Sequence, residues 1–178
     1  MFHPGTTRLI GYWSALAVGG APARADFDVA EVAELMPRLF VLHRGPEPAF
    51  RLVGEFVADL HGRRLKGTDA LGLFAAPARP LARRSILQAV REAAPVVILG
   101  TGRTDDGAEL ALEITVAPLL SPAGAPDRLI GLFQPTSPVA RLHGRAIRET
   151  AIRMAVAAEP RPDRPRLKLA AVDGRRIA

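Results

Sequence analysis

The run Ala108–Leu119 alternates with period two over most of its length. Leu110, Leu112, Ile114 and Val116 fall on one side, and Glu109, Ala111, Glu113 and Thr115 on the other. A helix would scatter that pattern around its axis, whereas a strand keeps it, because successive side chains point to opposite faces. One apolar and one polar face mark an antiparallel sheet with helices packed on the apolar side. Asp105-Asp106-Gly107 is a hairpin turn signal, and the apolar run Val96–Thr104 precedes it. After the loop residues Ser121-Pro122-Ala123-Gly124 and Pro126, Leu129–Phe133 reads as a third strand.

Upstream the period changes. Leu9, Trp13 and Leu16 recur at helical spacing within residues 6–18, with Thr6 or Thr7 as caps and Gly19, Gly20 and Pro22 as stops. Asp26 and Asp28 offer the start of a short helix that Pro37 ends. Leu39–His43 and Ala49–Gly54 flank Gly45-Pro46-Glu47-Pro48 and form a hairpin. A short helix over Glu55–His61 closes at Gly62, a helical piece follows around Leu71–Phe74, and residues 81–94 make a longer amphipathic helix. Residues 139–158 suggest a basic helix, weakened by Gly144, and EPRPDRPR beyond it reads as an extended tail, with LKLAAV as a short added strand. The organisation is thus flanking helices over 1–37, a domain over 38–136 and a basic extension over 137–178.

Charge follows the same division. Residues 141–178 hold ten Arg/Lys against four Asp/Glu and so carry the whole net charge of +6, while residues 1–140 are balanced. The extension has no aromatic residue and no Asn or Gln. Nucleic-acid readers interleave such groups with their cations, so the extension argues against specific nucleic-acid recognition and for protein contact. The chain has no cysteine, which excludes disulfides, thiolate metal sites, thiol nucleophiles and a flavin–cysteine photoadduct. Its apolar stretches are too short to span a bilayer, and its first residues lack a leader pattern, so the expected location is cytoplasmic. Abundant Ala, Arg and Pro with almost no Lys suggests a GC-rich bacterial genome.

The order helix, helix, two strands, three helical pieces, three strands resembles a PAS domain. Specific text carries the likeness: Tyr12-Trp13, Pro22-x-Arg24-x-Asp26, Leu35-x-Pro37-x-Leu39-Phe40, Phe50-Arg51-Leu52-Val53-Gly54, Gly67-Thr68, Gly102-Arg103-x-x-Asp106-Gly107 and Pro118-Leu119. Over about residues 8–135 the chain is similar to the small single-PAS proteins typical of alphaproteobacteria. The resemblance implies an α+β fold: a five-stranded antiparallel sheet with helices on one face, a cleft between, and an N-terminal helix. It implies sensing or partner docking without intrinsic chemistry. Gly54-Glu55-Phe56 stands where that family often has Gly-x-Arg, which leaves this corner without the cation an anion would need.

The residues agree that catalysis is not encoded in any local motif. There is no Gly-x-Ser-x-Gly elbow, phosphate-binding glycine loop or HExxH. Glu109 and Glu113 would lie roughly 13 Å apart along a solvated strand face, too far for a glycosidase pair. No two histidines show metal-ligand spacing. The candidate cleft is lined by Phe56, Leu60, His61, Phe74, Ile86, Val90, Leu99, Leu112 and Ile114, which serve equally as the core of a domain this size. His61 ends the short helix beside that cleft. Haem-binding PAS domains take an axial histidine from the cleft, but the plainer role is a helix-end imidazole favoured by the dipole. Candidate contact residues are Trp13 and Leu16 on the leading helix, through which a homodimer would form, and Arg141, Arg145 and Arg148 on the extension.

The expected function is a non-catalytic signalling module acting by protein–protein interaction or dimerisation, with no cofactor. The alternatives are a sensor for a small apolar ligand or cofactor in the cleft, and a small-molecule enzyme on another α+β fold.

Overall fold

The structure, a computed structural model, describes residues 1–158. Six strands form one sheet: β1 (Leu39–His43), β2 (Ala49–Val53), β3 (Val96–Arg103), β4 (Glu109–Leu120), β5 (Pro126–Pro135) and β6 (Glu149–Ala157). Their order is β2-β1-β5-β4-β3-β6, with every pair antiparallel. The first strand sits inside the sheet, between β2 and β5. Three helices accompany the sheet: α1 (Pro4–Leu16), α2 (Glu55–His61) and α3 (Arg79–Glu92). Short 3-10 segments link them, the longest over Val29–Arg38 and kinked at Val32.

The alternation works as expected on the helix side. Leu110, Leu112, Ile114 and Val116 are buried with Ile98, Phe133, α2 and α3 in one core. The opposite face differs from expectation. It is covered too, because α1 and the Val29–Arg38 turns pack Leu9, Trp13, Val32 and Leu35 onto Ala117, Leu119, Ile130 and Leu132. Helices therefore flank both faces. Glu113 is consequently buried, and its carboxylate accepts the backbone N–H of His3 at 3.0 and 3.2 Å. Only Glu109 is the solvated acid expected, paired with Arg103 across the hairpin. The cap of α1 also moves. Pro4 occupies the first turn, where its missing N–H costs nothing, and the His3 imidazole accepts from Gly5 N. Thr6, one of the residues read as a cap, is buried inside the helix.

The larger correction is at the C-terminus. The expected helix over 139–158 does not form. Residues 139–142 make one 3-10 turn, His143 and Gly144 take left-handed backbone angles, and 149–157 form β6. The pairing runs from Arg103↔Glu149 to Val96↔Ala157 along all of β3. Two consecutive left-handed residues end any helix, and β-branched Thr150, Ile152 and Val156 suit an edge that would otherwise expose a row of unpaired amides. The apolar spacing that looked helical belongs to a strand with a bulge opposite Leu99/Gly100, which shifts its alternation by one. The five-stranded expectation becomes a six-stranded sheet. The extended tail and the LKLAAV strand lie outside the described residues.

A loop lines the β2 edge, and a single backbone bond reaches the β6 edge. Gly67 N donates to Phe50 O and Phe50 N to Thr68 O along β2, and Ala75 N donates to Thr150 O on β6. Two glycines set close approaches. Gly62 caps α2 at φ 58°, an angle glycine takes without strain. Gly131 lies against the edge of the Phe40 ring, and a Cβ there would collide with its Cζ and Cε2.

Candidate functional site

The cleft between the sheet and α3 is closed by its own side chains. What remains is a cavity of about 20 Å³, room for about one water. Phe74, Ile86 and Ile114 line it, as the sequence suggests. Phe40, Leu42, Phe50, Ala70, Leu73, Ile98, Val116 and Phe133 complete the wall. These were legible in principle: Phe40 and Leu42 are i and i+2 on β1, and Phe133 continues the apolar run of β5. Every lining residue is aliphatic or aromatic, so no side-chain polar group converges on the space. The Phe40 and Phe50 rings meet edge to face at 5.6 Å and fill its far end.

The remaining cleft candidates separate into three groups. Leu60 and Leu112 are buried in the same core, and His61 is buried against its Phe133, without lining the cavity. Phe56 and Val90 are half-buried on its flank, and Phe56 lies under the Arg38 guanidinium at 5.7 Å. Leu99 is on the wrong face: Val96 and Ile98 point to α3, so the strand alternation sends Leu99 to the opposite side.

His61 is almost wholly buried. Its Nδ1 lies 2.8 Å from Val57 O, and its ring meets Phe133 edge on at 5.1 Å. The short Nδ1 contact requires the proton on Nδ1, which leaves Nε2 as an acceptor without a partner among the described residues. Burial holds the imidazole below its usual value of 6.5, the bond to Val57 O opposes the shift, and the Arg63 charge adds to it. The sign follows directly. An unfolded chain takes up the proton near pH 6.5 while the folded one resists it, so stability falls as pH drops through that value. The expected slope is up to about 1.4 kcal/mol per pH unit in the window below the unfolded value. His61→Asn places an amide N–H at the Nδ1 position for Val57 O and cannot titrate. Thermal unfolding at about pH 7 and 5 should show a flatter dependence in that variant, and an unchanged slope would assign the effect elsewhere.

The proposed contact residues are also redistributed. Trp13 is fully buried, and its indole N–H donates to Pro118 O at 2.8 Å, so it anchors α1 to the sheet and offers no docking surface. A large amphipathic ring on a leading helix reads equally as interface or core; the sheet face beneath it decides. Leu16 is half-buried at the rim of that contact. Arg145 and Arg148 pair with Asp106 and Asp105 of the β3–β4 turn at 2.8 and 2.7 Å. The Thr104 hydroxyl, and then Arg145, hold the Asp106 carboxyl below the usual range. These two arginines strap the chain across the hairpin before β6 begins. Arg141 is exposed and makes no ion pair among the described residues.

Among the described residues no three His, Cys, Asp or Glu side chains gather as metal ligands, and no helix is long and apolar enough to cross a membrane. A search of curated proteins returns no significant match. Solved structures show the fold. The chain is similar to a light-oxygen-voltage domain studied with a flavin analogue (TM-score 0.51, 13% identity, 63% of this chain and 87% of that one). It is similar to the LOV domain of the blue-light photoreceptor Aureochrome1 in its dark state (TM-score 0.50, 14% identity, 65% and 88%). It is similar also to an RNA-binding LOV receptor (TM-score 0.50, 18% identity), covering 72% of this chain and 38% of that chain. The family profile described as "PAS domain" matches residues 1–134, three quarters of the sequence and the whole of β1 to β4 with nearly all of β5. With the strand order, the helical cover and this match in agreement, the chain belongs to the PAS domain family.

Proposed function

We propose that this chain is a non-catalytic PAS signalling module of the cytoplasm that acts by contact with a protein partner or with a second copy of itself. The packed cleft carries this reading. Ligand sites in proteins are clefts of about 300–1,000 Å³ with a few converging polar groups, and the space here has room for about one water and wholly apolar walls. The flavin of the LOV relatives does not fit these residues. The cleft offers nothing to hydrogen-bond a flavin ring, and the chain has no cysteine to form an adduct. A sensor whose cleft is filled transmits through its surface.

The outer face of β3 and β6 favours self-association. Leu99 and Met154 are register partners there, half-buried and 47% exposed, and Val18 just beyond α1 is exposed. Light scattering on the full chain over a concentration series tests this arm. A dimer that Leu99→Lys returns to monomer is the expected result. A strict monomer at every concentration, with no partner crosslinked in cells, would remove the reading.

A further inference from the structure

A groove of about 140 Å³ runs between the β1–β2 turn and α3, walled by Gly45, Pro46, Pro48, Arg83, Ile86 and Leu87. Ile86 also lines the cleft cavity, so the two spaces share a wall residue. The walls are stiff. Two prolines fix their own φ, and Arg83 donates a hydrogen bond to Pro46 O, tying the turn to the helix. The floor is aliphatic, and Leu87 is 53% exposed at its lip.

The rim is cationic. Arg84 and Arg91 lie three residues before and four after Leu87, on the same exposed side of α3. Neither Arg83 nor Arg84 has a carboxylate partner among the described residues, and Arg91 meets only its neighbour Glu92. Glu47 in the turn makes no ion pair among the described residues either. An aliphatic slot whose helix side carries the Arg83 and Arg84 guanidinium groups, neither of them neutralised by a carboxylate among the described residues and together outnumbering the Glu47 carboxylate of the turn, suits an aliphatic side chain flanked by carboxylates.

We propose that this groove docks an acidic segment of a partner protein, one aliphatic side chain entering the slot and the flanking carboxylates meeting Arg83 and Arg84. The proposal rests on the interaction reading above and names its surface. The chain's own residues 141–178 carry +6, the opposite of the charge such a rim complements. Nucleic acid is the weaker fit, because no wall residue is aromatic and none can stack a base.

Nuclear magnetic resonance on the full-length, nitrogen-15-labelled chain tests it. The probes are a peptide of one leucine between pairs of glutamates, the same peptide with serine for leucine, and an oligothymidine strand. The leucine peptide is expected to shift residues 45–48 and 83–91 and to saturate, and the serine peptide to bind about tenfold more weakly. Leu87→Ser and Arg84→Glu, both at exposed positions, should each weaken the leucine peptide by about tenfold while the remaining spectrum stays in place. A footprint elsewhere, residues 141–178 included, would overturn the proposal. So would no footprint at millimolar peptide, equal affinity for the serine peptide, or tighter oligonucleotide binding in the groove. The dimer arm of the interaction reading is read by light scattering on Leu99→Lys, so the two fail independently.

Discussion

Ending the chain at residue 135 is expected to abolish the cooperative fold, although that boundary matches the end of the PAS family segment. The residues removed include Leu142 and Ile147, both buried in the cleft-side core, and all of β6. Burial of an aliphatic side chain contributes about 1.5–3 kcal/mol, so these two alone account for about 3–6 kcal/mol. Loss of β6 also removes one of the two partner strands from all eight residues of β3, from Val96 to Arg103, leaving only β4 beside it. Against a typical total of about 5–15 kcal/mol, little stability is left, and the newly exposed edge invites aggregation. Ending the chain at 158 removes no described element and should leave a cooperative unfolding transition close to that of the full chain. Circular dichroism melts of the two truncations check both statements. A stable, monomeric 1–135 fragment would show that β6 is an accessory and not part of the domain.

Phe133→Ala carries the second large effect. Phe133 lines the cleft cavity, is fully buried on β5 and supports the His61 ring. Large-to-small changes at such sites cost about 3–5 kcal/mol, because the lost transfer energy adds to the cost of the void. The void itself is informative. A dry apolar cavity of sufficient size takes up small apolar molecules. The variant is therefore expected to unfold at lower urea and to be restabilised by benzene, while the wild type gains nothing from it. A loss below about 1 kcal/mol would mean that the cleft is loosely packed and not closed by this ring.

The sheet and its helices were legible because their signals are local. The alternation over 108–119, the Asp-Gly turn and the Gly62 cap each act within a few residues, and each element formed within a few residues of its expected ends. The errors share a different cause. Residues 149–157 have spacing that fits a helix or a bulged strand, and the choice is made by the open edge of β3, distant in sequence. The strand pattern presents Glu113 on a solvated face and the helix presents Trp13 as a contact residue, and one packing event overturns both: α1 lies across that face of the sheet. Leu99 lies in the unbroken apolar run Val96-Val97-Ile98-Leu99, where period two leaves open which alternate pair faces the helices, and only the packing of Val96 and Ile98 decides it. The groove beside α3 has no sequence signature, because it joins a turn and a helix about forty residues apart.

The central claim is a PAS domain whose cleft is filled by its own side chains and which works through its surface. Native mass spectrometry of protein freshly purified from cells is the direct test. Peaks at the mass of the chain or its whole-number multiples, with no organic adduct, are predicted. A near-stoichiometric small molecule that stays bound under native conditions and leaves on denaturation would contradict the account.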